Sequence, residues 1–322
     1  MSLPAVNDLL ERVHVVTLPM RVRFRGITER EVALIDGPAG WGEFGAFLEY
    51  GPAEAAHWLA SGIDSAYSDA PPARRTRIAI NATVPAVPAE QVPDVLARFP
   101  GAGTAKVKVA EPGQVLADDV ARVNAVRALI PTVRVDANGG WSVEEAVSAA
   151  AALTAEGPLE YLEQPCATVP ELAEVRRRVQ VPVAADESIR KADDPLLVVR
   201  AGAADIAVLK VAPLGGVAAF LAIAGQIDIP VVVSSALDSA VGIGVGLSAA
   251  AALPHLQHAC GLGTGGLFVD DVVAPVVPDD GYLPAGPVVP EPARLHALRA
   301  SADRREWWLE RIRICHEVLA QR

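Results

Sequence analysis

The chain has 322 residues but only three cysteines, Cys166, Cys260 and Cys315. They are odd in number, far apart and never in a CxxC spacing. Neither a disulfide framework nor a thiolate zinc site is indicated, and a reducing cytoplasm fits. Basic clusters are also scarce. No basic run of five or more occurs, and RRRV at 176–179 lies in a helical stretch, where it reads as a solvated face. With a formal charge of −11, neither nucleic acid nor an anionic membrane surface is the expected partner. The longest apolar stretches are broken by Gly, Pro or charge, so no transmembrane helix is expected. The first sixteen residues, MSLPAVNDLLERVHVV, are acidic and lack the apolar core of a signal peptide. There is no GxSxG for a serine hydrolase.

What the chain does have is 51% hydrophobic residues, enough for a large core, and a repeated alternation. Five short apolar runs read TAKVKVA (104–110), VRVDANG (133–139), LEYLEQP (159–165), VPVAADES (181–188) and IAVLKVAP (206–213). Runs of this length bounded by Gly and Pro predict strands buried on both faces. Ala-rich helical segments such as SVEEAVSAAAALTAEG (142–157) separate them, the pattern of a parallel sheet built from βαβ units. RIAINATVPA (77–86) predicts the first barrel strand, with Asn81 and Thr83 facing alike. PAEQVPDVLARFP (88–100) predicts the first helix. IPVVVSSAL (229–237) and HACGLGT (258–264) predict strands seven and eight, and GVAAFLAIAGQ (216–226) and AVGIGVGLSAAAAL (240–253) two more helices. No His falls at the end of strands two to seven, which counts against a His-based racemase.

Residues before 76 read differently. HVVTLPM (14–20), EVALIDG (31–37) and GWGEFGAF (40–47) predict a small antiparallel sheet, followed by a helix at 52–66 and a Pro-rich linker at 68–75. After 276 the alternation stops. RREWWLERIRICHEVLAQ (304–321) predicts an amphipathic terminal helix with Trp307, Ile314 and Val318 on its apolar face. The expected organisation is an α/β chain with a (β/α)7β TIM-like barrel at 77–276 and a discontinuous α+β capping domain. Residues 1–76 form that domain, and 277–322 return to complete it.

Charges recur at equivalent places on the predicted strands. Lys108, Asp136, Glu163, Asp186 and Lys210 are separated by 28, 27, 23 and 24 residues, about one βα unit each. All five therefore fall near strand carboxyl ends, where barrel chemistry sits. Three neighbouring buried carboxylates repel one another unless a cation intervenes. An oxygen-only donor set favours a hard divalent ion, Mg2+ first and Mn2+ second. Lys106 and Lys108 share a face because side chains alternate along a strand. Lys108 is nearer the strand end and is assigned as a base, with Lys106 beside it helping to depress its pKa. Lys210, on the far flank, is a second acid/base or a cation that stabilises negative charge. The reaction suggested is removal of a proton α to a carboxylate, with the metal holding the enediolate. A general base supplies about 10²–10⁴-fold and enzymes need at least ~10⁶, so the ion carries the remainder.

Weaker signals surround these five. GLGTGG (261–266) matches a dinucleotide fingerprint formally, but no helix follows it. It reads instead as a loop offering backbone N–H groups to a substrate anion, with Gly263 a candidate. GIGVG (242–246) reads as close backbone packing or as an anion-receiving helix start. Ser234 and Ser235 read as substrate contacts or helix caps.

At these residues the chain resembles the enolase superfamily, and within it the muconate-lactonizing subgroup. The resemblance rests on FRG…RE…GWGE (24–43), the pair Lys106 and Lys108, DANGGW (136–141), EQP (163–165), ADES (185–188) and the lone Lys210. It implies that Asp136, Glu163 and Asp186 ligate Mg2+ and that Lys108 and Lys210 flank the substrate. It also implies support from Asn138 and closure of the site by Arg21–Gly26 and Phe44–Tyr50. A Lys base with Mg2+ holding an enediolate is the known chemistry of that superfamily. EQPC, SIR after the third acid, SSALDSAVG (234–242) and GLGT…LF…D (261–270) imply a cytoplasmic carbon–oxygen lyase of menaquinone biosynthesis. Such an enzyme dehydrates a succinyl-bearing hydroxycyclohexadiene carboxylate to the benzoate. The alternatives are an N-succinylamino acid racemase or dipeptide epimerase, a cycloisomerase, and a non-catalytic barrel.

Overall fold

Strand and helix alternate along the middle of the chain because Val-rich runs are followed by segments with explicit helix starts. Ser142 and Thr168 each accept from the backbone three residues on, and Glu145 and Glu171 reach back to the cap N–H groups. Such reciprocal boxes satisfy donors that a helix otherwise leaves open. The computed structural model describes residues 3–24, 26–190 and 194–321.

Strands β1 (Val13–Phe24), β2 (Ile27–Asp36) and β3 (Trp41–Phe44) form the antiparallel sheet expected of the N-terminal part. The helix Pro52–Tyr67 presses onto β3. A Cβ at Gly42 would lie 1.9 Å from the carbonyl oxygen of Gly62, so only glycine permits this contact. The terminal helix Ala302–Ala320 packs on the same unit. Its buried face is Trp308, Arg311, Ile312 and Cys315, while Trp307 and Ile314 are exposed. The expected stripe through Trp307 and Ile314 is thus displaced around the helix. A 4–3 spacing fits Trp308, Ile312 and Cys315 as well, and only Trp308 places its indole N–H on Glu31.

The sheet that follows is parallel throughout. β4 (Arg77–Ala79) leads into β5 (Ala82–Val84), then β6 (Thr104–Lys108), β7 (Thr132–Asp136), β8 (Leu162–Glu163), β9 (Val183–Ala185), β10 (Ile206–Leu209) and β11 (Val231–Val233). From β5 to β11 neighbours in sequence are neighbours in space. Residues 77–86 do not form one strand. β4 pairs antiparallel with β12 (Tyr282–Pro284), and only β5 joins the parallel sheet. The expected eighth strand contributes single bridges, Cys260 to Ile80 and Gly261 to Ser234. Hydrogen bonds from Asn81 N to Cys260 O at 2.9 Å and from Gly261 N to Val233 O at 2.8 Å close the circle there.

Helices follow β5 to β11 on the outside, ending with Val217–Ala224 and Ala240–Ala252. After Gly261 there is a 3-10 turn, Thr264–Leu267, in place of a helix. Two large cores result. One lies between the sheet and the outer helices. The other joins β1–β3, the helix Pro52–Tyr67, the terminal helix and the segments 236–241 and 267–272.

Candidate active site

The inward-facing residues at the strand carboxyl ends are set by register. Lys108 is opposite Asp136, and Asp136 is opposite Glu163. Glu163 is opposite Ala184, so Asp186 is one pleat further along the same face. Val107 and Val109 point into the helix layer. Asp136, Glu163 and Asp186 are buried, as are Lys106 and Lys210. This chain has only four lysines, Lys106, Lys108, Lys191 and Lys210. Lys191 lies outside the described residues, and the other three meet at this site.

Lys106 Nζ bridges two of the acids, 2.8 Å from Glu163 Oε1 and 3.2 Å from Asp136 Oδ2. Lys108 Nζ donates to Asp136 Oδ2 at 2.5 Å and to Asn138 Oδ1 at 2.6 Å. Lys210 donates to Asp186 Oδ2. Asn138 occupies the left-handed region at φ 48°, which Asn tolerates better than most residues. There its backbone N–H reaches Asp136 Oδ1 at 3.0 Å and its side-chain amide reaches Glu187.

Burial would raise Asp136, but Lys108 and Lys106 outweigh it and hold the acid well below the usual carboxylate range. Burial likewise opposes ionisation of Asp186, and Lys210 and Arg190 overcome it. Glu163 differs. Burial and the charge of Asp136 push it up, despite Lys106. Burial would lower Lys106, yet Glu163 and Asp136 raise it well above its ordinary value. Burial lowers Lys210.

The donors suit a hard divalent ion: they are carboxylate oxygens, and Glu163 Oε2 is a buried acceptor with no hydrogen-bond partner among the described residues. The three acids do not converge directly, however. Among the described residues no group of three acidic, His or Cys side chains is placed to share an ion. Ammonium groups sit against the carboxylates instead, so a cation held by these acids would have to take over contacts that the lysines make.

A cavity of about 30 Å³ borders this cluster, lined by Phe24, Thr83, Ser234, Ser235, Leu237 and Thr264 among others. Phe24 roofs it, with Lys108 Nζ 5.5 Å from the ring centre. Arg25, in the expected closing loop, lies outside the described residues. Ser234 and Ser235 face the cavity and cap no helix. Ser235 Oγ is bonded to Thr264 Oγ1 at 2.7 Å and to the Gly261 carbonyl at 3.0 Å. Gly263 does not line this cavity. It belongs to a second one, and its Cα faces the Asn81 carbonyl, 2.8 Å from where a Cβ would stand. GIGVG lies inside the helix Ala240–Ala252 rather than before it. That helix start donates to the Glu43 carboxyl group, through Ser239 N and Gly242 N, and to Asp271 through Ala240 N.

Two residues that shape the site escaped the sequence reading. Arg190 donates to Asp186 at 3.2 Å, to Glu187 at 2.7 Å and to Tyr50 Oη at 2.9 Å. It thereby joins the segment 44–50 to the third acid. Its position four residues after Asp186, at one helical turn, was the available signal. Gln164, at φ 39°, accepts from Asp186 N at 2.9 Å and donates to Ser188 Oγ at 2.7 Å. The scarcity of lysine was a second signal, since three of the four belong to one cluster.

Comparison with known proteins places the fold. Residues 90–290 match the family described as enolase C-terminal domain-like, and 15–66 match enolase N-terminal domain-like. The muconate lactonizing enzyme from Pseudomonas fluorescens, solved with muconolactone, superposes with a TM-score of 0.75. It is 21% identical and covers 90% of this chain and 98% of its own. The muconate lactonizing enzyme from Pseudomonas putida gives 0.73 at 20% identity, with 89% and 98% covered. The fold and the matched domains are those of the enolase superfamily. Closer in sequence is the o-succinylbenzoate synthase of Mycobacterium marinum, 76% identical over 98% of this chain and 96% of its own. That of Mycolicibacterium smegmatis is 74% identical over 99% of both chains. That of Mycobacterium tuberculosis is 72% identical over 98% and 97%. The chain belongs to the o-succinylbenzoate synthase family within that superfamily.

Proposed function

We propose that the chain dehydrates 2-succinyl-6-hydroxy-2,4-cyclohexadiene-1-carboxylate to o-succinylbenzoate, in menaquinone biosynthesis, with Mg2+ as cofactor. The observation that carries this reading is the placement of Lys108 and Lys210 on opposite flanks of three buried strand-end acids. Asp136, Glu163 and Asp186 would hold the ion, which supplies positive charge to the substrate carboxylate as that carboxylate gains electron density.

Lys108, in its neutral form, takes the proton from C1 of the ring. The pair of electrons left behind becomes an enediolate and then re-forms a ring double bond as the C6–O bond breaks. The same ammonium returns the proton to the departing hydroxide on the same face, so water leaves and the ring becomes aromatic. Lys210 stays protonated and stabilises the enediolate. The cavity of about 30 Å³ has room for only a few waters, so Phe24 and the strand end that bears it move to admit substrate.

The presence of an amine on both flanks also favours a second reading, two-base racemisation of an N-succinylamino acid. The two are separated by assay. Loss of the diene absorbance with Mg2+, and none with a chelator, supports the dehydratase. Deuterium exchange into an N-succinylamino acid without dehydration overturns it. No described helix is long and apolar enough to cross a membrane.

A further inference from the structure

A cavity far larger than the one beside the carboxylates lies elsewhere among the described residues. It encloses about 330 Å³, at the lower end of the range for small-molecule pockets. Its place follows from the fold. The outer wall lacks a helix after Gly261, and the segment 264–288 spans the gap between the helices Val92–Leu96 and Ala240–Ala252. That segment bridges the gap without filling it. The walls are apolar, with Phe99, Ile243, Leu247, Leu262 and Phe268 prominent.

Two guanidinium groups, Arg21 and Arg98, also line the cavity. Among the described residues neither makes an ion pair with an acid. Arg21 donates only a long bond, 3.4 Å, to the Val269 carbonyl. Arg98 Nη1 is buried without a hydrogen-bond partner. Burial, and the charge of Arg21 nearby, lower Arg98 from its ordinary value, against the attraction of Asp94. The two acids in the lining are engaged elsewhere. Asp270 pairs with Arg294, and Asp271 accepts from Ala240 N and Val272 N. Arg21 is exposed and Arg98 half-buried, so the cost falls on one buried donor, Arg98 Nη1, which lacks an acceptor and which an anion in the cavity would satisfy.

We propose that this cavity is a second binding site, distinct from the catalytic one, for an organic anion with an apolar body and a single carboxylate or similar head. The body lies against Phe99, Leu247 and Leu262, and the head accepts from Arg98 Nη1 with Arg21 beside it. Carboxylate–guanidinium pairs are strong in such a partly desolvated place. Gly263, Gly265 and Gly266 border the same space, while Gly261 and Thr264 of the same loop border the cavity beside the carboxylates.

The test uses 2-naphthoate as probe and the neutral 2-naphthalenemethanol as control, titrated calorimetrically into the full-length protein. The expected result is saturable one-to-one binding of 2-naphthoate, at least tenfold tighter than the alcohol. Arg98→Gln should weaken it about tenfold or more with dehydratase turnover unchanged. Ala97→Trp, at an exposed lining position, should close the mouth and abolish binding without disturbing the fold, which thermal melting verifies. No saturable binding to the wild-type protein would overturn the proposal. So would binding that survives both Arg98→Gln and Ala97→Trp, because the probe would then be occupying the catalytic cluster.

Discussion

Lys108 and Asp136 are register partners on adjacent parallel strands, and Lys108 Nζ lies 2.5 Å from Asp136 Oδ2. The proposed base therefore rests on a proposed metal ligand. The two roles compete for one carboxylate, so loading the metal and freeing the amine are a single exchange. Lys108→Ala should lower kcat by about 10³-fold, within the range for losing a general base. It should also leave Mg2+ binding unchanged or several-fold tighter, because Asp136 loses a competing cation. Steady-state kinetics and calorimetric Mg2+ titration check both halves. Activity retained within a factor of ten would remove Lys108 from the mechanism.

Arg190 is almost wholly buried between Asp186, Glu187 and Tyr50. Removing one partner of such an arrangement strands the others. Arg190→Met should destabilise the protein by about 3 kcal/mol, the usual cost of breaking a buried ion pair. Tyr50→Phe should cost about 1 kcal/mol, one hydrogen bond. Urea unfolding measures both. Equal, small effects would show that Arg190 is not the tie between the segment 44–50 and the barrel.

The strand spacing made the five charged residues legible, because a Lys, Asp or Glu inside a Val-rich run has few structural reasons to be there. The alternation also revealed the parallel sheet. What stayed hidden depends on distant pairings. Arg190 meets Tyr50 across 140 residues, and Glu43 meets Ser239 across 196, and no local pattern encodes either. Strand eight was overread because HACGLGT resembles a strand while contributing only bridges at Cys260 and Gly261. Trp307 and Trp308 are adjacent, so helical periodicity alone chose the wrong one. At Gly263 the glycine neighbours suggested a substrate loop, but the need for glycine against the Asn81 carbonyl depends on a pairing 182 residues away that no local pattern encodes.

Glu43 carries a pH dependence of stability. Burial, and then the charge of Asp238, push it up to about 8 from an ordinary 4.5. The folded state thus favours the protonated acid. That contribution is complete below about pH 4.5 and is lost progressively as pH rises through 8. A Glu43→Gln variant mimics the neutral form at every pH. Relative to it, the wild-type protein should weaken steadily between pH 5 and pH 8 and level off above. Urea midpoints of both proteins at pH 5.5, 7 and 8.5 check this. A constant difference across that range would contradict it.

Diffraction from crystals soaked in Mn2+ reports directly on the three acids. The account predicts one anomalous peak within about 2.5 Å of an oxygen from each of Asp136, Glu163 and Asp186, with Lys106, Lys108 and Lys210 withdrawn from the oxygens they now hold. A peak elsewhere, or three acids still paired with their lysines at saturating Mn2+, would contradict it.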